Sequence, residues 1–474
     1  MNDNSSIQAS GAVAEAARER VAPPVRRTRP ASVRVSPGGY LAAGSLLTFM
    51  ALLLLRVEQD TLALISLIIA WVVTPLLAFT DHISFDGHVL KRKGLIALFL
   101  RLVARQSNNL KLEEIERVET DAVRTLRRGG RVRYRYRSEV MGQGISFVFA
   151  SGGSSYRRMV QILFHLIPDE KLDTRSGELR DYLTDPASLR TTLCHLKLAP
   201  PSVLEGATGD LLPSRKGKIR HQRSADADGE ASAVDIERGM LLRRAANELR
   251  AAGRLREAAE AFRRSLLVLP RDAALIYEFA RFLRSQASAL GDARLLARSR
   301  AGLRLAAQRA TDNATLLSRI GESFFEFGEM DYATRLFRRA LEANPRAYRA
   351  QLGLADVALR DGKLAHVIHH YGDSARIAPD AALARFAQRE ADYYVRLNDD
   401  DEYLSQELRR IGWLQHLYRA RRVAARLTYG SVLLSLIGPF IDESVAAAGW
   451  ALASTSIIAW VCISLANRTL GQRR

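Results

Sequence analysis

Between Arg238 and Pro379, three glycines and three prolines keep a fixed interval. Gly253, Gly328 and Gly362 each precede a proline (Pro270, Pro345 or Pro379) by 17 residues. The last two pairs are offset by 34 residues and the first two by 75, one unit of 34 and one of 41. A period of this size marks an array of stacked repeats, because so short a unit must share its apolar face with its neighbours.

The residues between the markers explain the period. Ala333, Phe337 and Ala340 lie four and three apart before Pro345, and Ala258, Phe262 and Ser265 repeat the spacing before Pro270. Val367, Tyr371 and Ser374 repeat it again before Pro379. Such spacing puts all three side chains on one helix face. Upstream of each glycine stands another helical pattern: Leu242, Ala245, Ala246 and Leu249; Leu317, Ile320, Gly321 and Phe324; Leu354, Ala355 and Ala358. Each unit therefore reads as helix, turn at glycine, helix, stop at proline. Small residues (Ala246, Gly321, Ala355, Ala258, Ala333) let the paired helices approach closely. The unit from Ala273 to Asn313 departs, with about seven extra residues around Ser285–Asp292 and Thr311 in place of the proline.

This pattern resembles the tetratricopeptide repeat (TPR) family, whose 34-residue unit ends in the same Ala-x3-Phe-x2-Ala-x4-Pro spacing. The resemblance implies an α-helical solenoid over residues 237–396, with four repeats and a solvating helix from Ala381 to Arg396. It also implies a binding scaffold whose concave face is lined by the first helix of each pair. The groove positions are Arg243, Asn247 and Arg250, then Tyr277, Arg281 and Arg284, then Arg319, Glu322 and Phe325. Arginine forks suit carboxylates and the aromatic rings offer anchors, so an acidic or C-terminal peptide is the expected ligand. The family's carboxylate-binding subgroup pairs a basic residue with Asn four positions on, as Arg243 and Asn247 are here; Glu278 stands where its next Asn would be and Thr315 where its next Lys would be. The plainer alternative is that these arginines only solvate the array.

The formal charge is +19 over 474 residues, and its placement matters more than its size. Residues 1–37 lack apolar periodicity and read as a disordered basic tail. Tyr40–Leu55 and Thr61–Phe79 are free of charge and separated by Arg-Val-Glu-Gln-Asp, which predicts a transmembrane hairpin over 38–79. The apolar run begins too late for a secretory signal. A second hairpin, over 427–466, is expected from Leu427–Ile441 and Val445–Ala466, followed by a basic tail over 467–474. Arginines and lysines flank both hairpins while the short loops carry only Arg56, so both termini and the soluble parts are expected on the cytoplasmic side. Residues 397–426 read as a connecting helix.

Residues 83–170 change register. Ile83–Gly94 reads as a hairpin with Asp-Gly at its turn, Leu110–Glu119 as a strand entering a short turn, Gly130–Ser138 as an alternating strand with Val132, Tyr134 and Tyr136 on one face, and Gly144–Ala150 as another strand. Ser155–Ile167 reads as an amphipathic helix with Met159, Ile162, Leu163 and Leu166 inward. Several strands closed by one helix, directly after a two-span hairpin, are similar to the pleckstrin-homology-like (PH-like) α+β domains of bacterial membrane proteins. That similarity implies a bacterial inner membrane. Leu95–Arg105 suits an interfacial segment. Residues 171–236, with Pro200-Pro201 and a basic run from Arg215 to Arg223, read as a flexible linker.

No phosphate loop, nucleophile elbow, zinc-protease helix or dinucleotide fingerprint is present, so neither an enzyme nor a cofactor is expected. His366, His369 and His370 have the spacing of metal ligands on a helix, but nothing supplies the remaining ligands, and a solvated face is the simpler reading. Cys194 and Cys462 lie in different regions and predict no disulfide. The expectation is a multidomain membrane protein: a TPR solenoid, a small PH-like domain and two transmembrane helical hairpins. Such a chain would recruit a protein or peptide partner to the membrane face. Membrane lipids and a second copy of the chain are further partners; nucleic-acid or anionic-lipid binding through the basic surface is the alternative, and cations clustered at the span ends favour lipid over nucleic acid.

Overall fold

The computed structural model describes residues 30–35, 38–95, 97–98, 109–126, 132–151, 154–183, 189–191, 194, 233–437, 440 and 442–471. It is mostly helical, with a small antiparallel sheet region. Most of the 1–37 tail, most of the 184–232 stretch and most of the Leu95–Arg105 segment lie outside the described residues.

The β region is two sheets around one core. Strands β1 (Ala31–Arg34), β2 (His82–Phe85), β3 (Val89–Lys93) and β4 (Asn109–Lys111) form an antiparallel sheet in that order. Strands β5 (Arg117–Leu126), β6 (Val132–Gly142) and β7 (Ile145–Ala150) form a second. The hairpin turn at Asp86-Gly87 is where the sequence puts it, with Gly87 at φ 104°. Helix α3 (Ser154–Leu163) then buries Tyr156, Met159, Val160 and Leu163 among Ile83, Phe85, Leu90, Val140 and Phe149.

Within Leu110–Glu119, β4 runs into a 3-10 turn, Leu112–Glu114, where the Glu114 carboxylate accepts the Lys111 amide, and β5 follows. Three readings of this region need correction. The tail is not wholly without structure: Ala31 and Val33 are buried and β1 pairs with β2, Val33 opposite Ile83. Leu166 is half exposed, since α3 ends at Leu163 and a tighter turn rotates the next residues off the helix face. The linker starts later than residue 171: Asp173 accepts the Ser176 amide at 2.8 Å, capping helix α4 (Thr174–Tyr182), and Leu179 joins the β core.

The array follows the expected alternation. Among the described residues it comprises α5 (Ala233–Ala251) with α6 (Leu255–Val268), α7 (Ala273–Leu290) with α8 (Ala293–Arg309), α9 (Ala314–Phe327) with α10 (Met330–Ala343), and α11 (Tyr348–Arg360) with α12 (Leu364–Ile377), then α13 (Ala381–Asp399). Gly253, Gly291, Gly328 and Gly362 all adopt the left-handed φ that these inter-helix turns require. The seven extra residues of the second unit do not form a loop. Helices α7 and α8 have 18 and 17 residues against 14 each for α9 and α10, so each gains about one turn and keeps its buried face. The Phe337 ring lies between two glycines: a Cβ at Gly321 would fall 2.7 Å from it, and one at Gly353 2.4 Å.

Among the described residues, three helical stretches are long and apolar enough to cross a membrane: Gly39–Arg56 in α1 (Gly38–Arg56), Asp60–Thr80 in α2 (Asp60–Thr80), and Ser444–Ser464 in α15 (Glu443–Gly471). The span expected from Leu427 is not among them. It is the apolar end of a 37-residue helix, α14 (Asp401–Ile437), whose earlier turns are charged. The final residues 467–471 continue α15 rather than forming a separate tail. Helices α14 and α15 meet through small side chains: a Cβ at Gly449 would fall 2.8 Å from the Ser435 amide nitrogen, and the Ser431 and Ser456 hydroxyls lie 3.1 Å apart. The first and last hairpins touch where the Phe49 and Trp450 rings stack at 5.1 Å. At the top of α2, buried Asp81 accepts from Arg92 at 2.6 and 2.8 Å and from the Tyr40 hydroxyl, tying the hairpin to the sheet.

Candidate functional site

The first helices of the array, α5, α7, α9 and α11, present their polar positions inward, and the chain itself occupies that face. Helix α4 lies against them. Its Thr174, Glu178 and Tyr182 are four residues apart, one above the other on one face. The Glu178 carboxylate receives Arg250 at 2.9 Å from α5 and Arg281 at 3.0 Å from α7. Tyr182 donates to Glu278 of α7 at 2.8 Å, and Thr174 donates to Glu322 of α9 at 2.8 Å. Just before α4, Asp169 pairs with Arg319 at 3.2 Å, and Lys171, itself buried, pairs with Asp380 at 2.8 Å.

Of the nine expected groove residues, four meet this segment directly: Arg250, Arg281, Arg319 and Glu322. Tyr277 stands behind them, buried, accepting from Arg281 at 3.1 Å. Arg284 turns to Glu326 and the Phe327 ring, and Phe325 lies under Arg360, its ring centre 5.6 Å from the guanidinium carbon. Arg243 and Asn247 serve a different purpose. Both donate to Glu278 at 2.7 Å, Arg243 through two nitrogens. The carboxylate that this pair holds is the array's own, at the position where the sequence departs from the binding pattern.

Several positions in this contact went unread in the sequence. Arg349 of α11 clamps Glu322 at 2.8 Å through two nitrogens and donates to the Asp169 carbonyl at 3.1 Å. The inward pattern continues into the fourth first helix, which would have flagged it. Glu178 and Tyr182 lay in a stretch read as linker, and Asp173 before a helix-compatible run was the available signal.

The electrostatics favour ionised partners throughout. Burial pushes the Glu178 carboxyl up, but Arg250 and Arg281 more than reverse it and leave it below its ordinary value. Glu322 is held low in the same way by Arg349, and Asp169 by Arg180, Arg319 and Arg349. The fit is incomplete: Asn247 Oδ1 and Arg250 Nε are buried without a hydrogen-bond partner. A cavity of about 30 Å³, lined by Thr174, Glu178, Tyr182, Arg250 and Arg319 among others, remains between helix and groove. That is room for about two waters.

Elsewhere, among the described residues, the β region also meets the array through polar contacts. The Tyr136 hydroxyl donates to the Ala251 carbonyl at 2.7 Å, and Glu116 receives Arg389 at 2.7 Å. The three histidines of α12 are engaged locally, His369 with Asp373 at 3.3 Å and His370 with Gln351 at 3.2 Å. Among the described residues, no group of three metal-ligating side chains comes together. Comparison with known proteins returns no matching family model and no matching curated relative.

Proposed function

We propose that this chain is a membrane-anchored adaptor. Its TPR-like array takes a protein or peptide partner on its arginine-lined inner face, and its hairpins hold that partner at the cytoplasmic side of a bacterial inner membrane. The PH-like β domain sits between hairpin and array as a spacer that packs against both. The observation that carries the reading is the inner face itself: Arg250 and Arg281 converge on the Glu178 carboxylate of an apposed helix, and Arg319 meets Asp169 in the turn before it. A surface built to hold one helix by its carboxylate has the chemistry to hold another. The orientation follows from the arginines flanking both hairpins.

The test is affinity capture of the full chain from crosslinked membranes, comparing wild type with an Arg250→Ala/Arg281→Ala/Arg319→Ala variant at equal abundance. A partner lost from the variant and competed away by an acidic helical peptide supports the reading. An identical set of captured proteins removes it.

A second reading, attachment to an anionic surface, is favoured by helix α8. It carries Arg294, Arg298, Arg300, Arg304 and Arg309 with no acidic residue. Retention on anionic vesicles that falls steeply with salt, and that charge reversal in α8 abolishes, would support it.

A further inference from the structure

Helix α4 is a weak helix in a strongly built site. It has nine residues, with Gly177 near its centre, and an isolated helix of that length and composition is not stable in water. Docking holds it, on two faces of different character. Ser176 and Leu179 face the β core, where Ser176 bonds Thr120 at 2.8 Å. Thr174, Glu178 and Tyr182 face the array and reach three of its helices through polar contacts. Charged and hydroxyl-bearing side chains dominate this second face, with Tyr182 and Tyr277 beside them; two buried polar atoms near it lack partners, and a cavity persists. Predominantly polar contacts of this kind typify interfaces that form and separate, whereas obligate ones are more apolar.

Covalent connection makes such a contact sufficient. Leu189, seven residues beyond Tyr182, is buried with Ala246, Leu249 and Phe262 in the array core, and so short a covalent connection gives the two surfaces an effective concentration on the order of millimolar. A modest interface then stays closed in isolation, yet an untethered ligand with a better-fitting face displaces it.

Resting on the adaptor reading, we infer that α4 is a built-in occupant of the array's inner face. A trans partner gains the groove only when the β domain carries α4 away. The partner is defined by what α4 presents: a helix with a central carboxylate for Arg250 and Arg281, flanked one turn to either side by hydroxyl-bearing or other donor residues for Glu322 and Glu278. Glu178 is the residue whose loss opens the groove while leaving every array residue intact.

The experiment uses the full chain in lipid nanodiscs, with exposed Cys194 and Cys462 replaced by serine. Spin labels at Asp121 on β5 and Arg338 on α10, both exposed, report the separation of β domain and array. The wild type should give one narrow distance distribution, and Glu178→Ala a second, longer population. A fluorescent peptide of residues 168–183 should bind Glu178→Ala about tenfold more tightly than wild type, since the closed state no longer masks the site. Adding Arg281→Ala should remove that binding. Should Glu178→Ala fail to fold, Thr174→Val/Tyr182→Phe, which keeps Leu179 and Ser176, should shift the distribution the same way. A distribution that neither variant changes, or peptide binding equal in wild type and variant, overturns the inference. Such a failure is separable from failure of the adaptor reading. A partner captured from membranes by a chain that never opens would leave the adaptor and remove the gate; an opening chain that captures nothing would do the reverse.

Discussion

Helices α3 and α4 leave the second sheet one after the other and are bound by opposite means. Helix α3 buries Tyr156, Met159, Val160 and Leu163 in a continuous core. Helix α4 buries only Ser176 and Leu179 there and spends its other face on charges and hydroxyls of the array. Apolar burial is non-directional and involves no titrating group, so it makes α3 a permanent part of the β domain. A charged face is directional: each contact needs a particular partner at a particular distance, and each can be lost singly. The difference separates what holds this fold together from what positions one domain against another.

The largest effect expected from breaking the comparison lies in the apolar half. Phe149→Ala should cost about 4 kcal/mol, because the ring is fully buried against Tyr156. Chemical unfolding of the β region would register it, with helical signal from the array retained. A loss under 1 kcal/mol would mean the core has room to collapse.

On the charged half, Arg281→Ala should weaken docking by about 2 kcal/mol, as Glu178 keeps only Arg250. The appropriate measurement is the distance distribution between β domain and array, with the unfolding midpoint of the β region unmoved. If both change together, the two halves are one cooperative unit and the contrast between the helices fails.

Ser176→Ala tests the seam between the two faces. It removes one member of the buried hydroxyl cluster of Thr120, Ser138 and Tyr156 and should cost about 1 kcal/mol. Its effect should appear in β-region unfolding and leave the groove contacts alone.

Acid gives the smallest change near neutrality. The carboxyls of Glu178, Glu322, Asp169 and Asp380 all titrate below their ordinary values in the folded chain. Their contribution is complete above the unfolded carboxylate range near about 4 and is lost as pH falls through the depressed values. Asp173, which burial raises, acts in the opposite sense and loses stabilisation as pH rises through its own value. Interdomain spacing should therefore be flat from pH 8 to about 5 and widen below about 4, while α3 stays protected from hydrogen exchange. Widening that begins near pH 6 would point to other groups.

Much of the architecture was legible. The glycine–proline interval located every inter-helix turn of the array it marked, and the small residue Gly321 does meet its partner helix closely because Phe337 needs the space. The apolar stretches at Tyr40 and Thr61 correspond to helices of spanning length. What failed did so for identifiable reasons. Leu427–Ile437 belongs to a helix begun in charged residues, and periodicity alone does not say where one helix stops and a span starts. Ala31–Arg34 and Thr174–Tyr182 are too short to show a period, and each owes its form to a partner distant in sequence, β2 in one case and the β core with the array in the other.

The candidate site divides along the same line. Local spacing determined that Tyr277 and Arg281 share one face of their helix, and Arg319 and Glu322 one face of theirs, because helix geometry fixes which residues point together; that these faces form one inner surface was implied by the repeat resemblance. Only the tertiary structure decided what they face. That Arg243 and Asn247 hold Glu278, and that Arg250 and Arg281 hold Glu178, depends on residues 31 to 103 positions away in the chain. The sign and spacing of charges are written in the sequence, but a charge chooses its partner by proximity in three dimensions, and that is settled only once the apolar cores have folded.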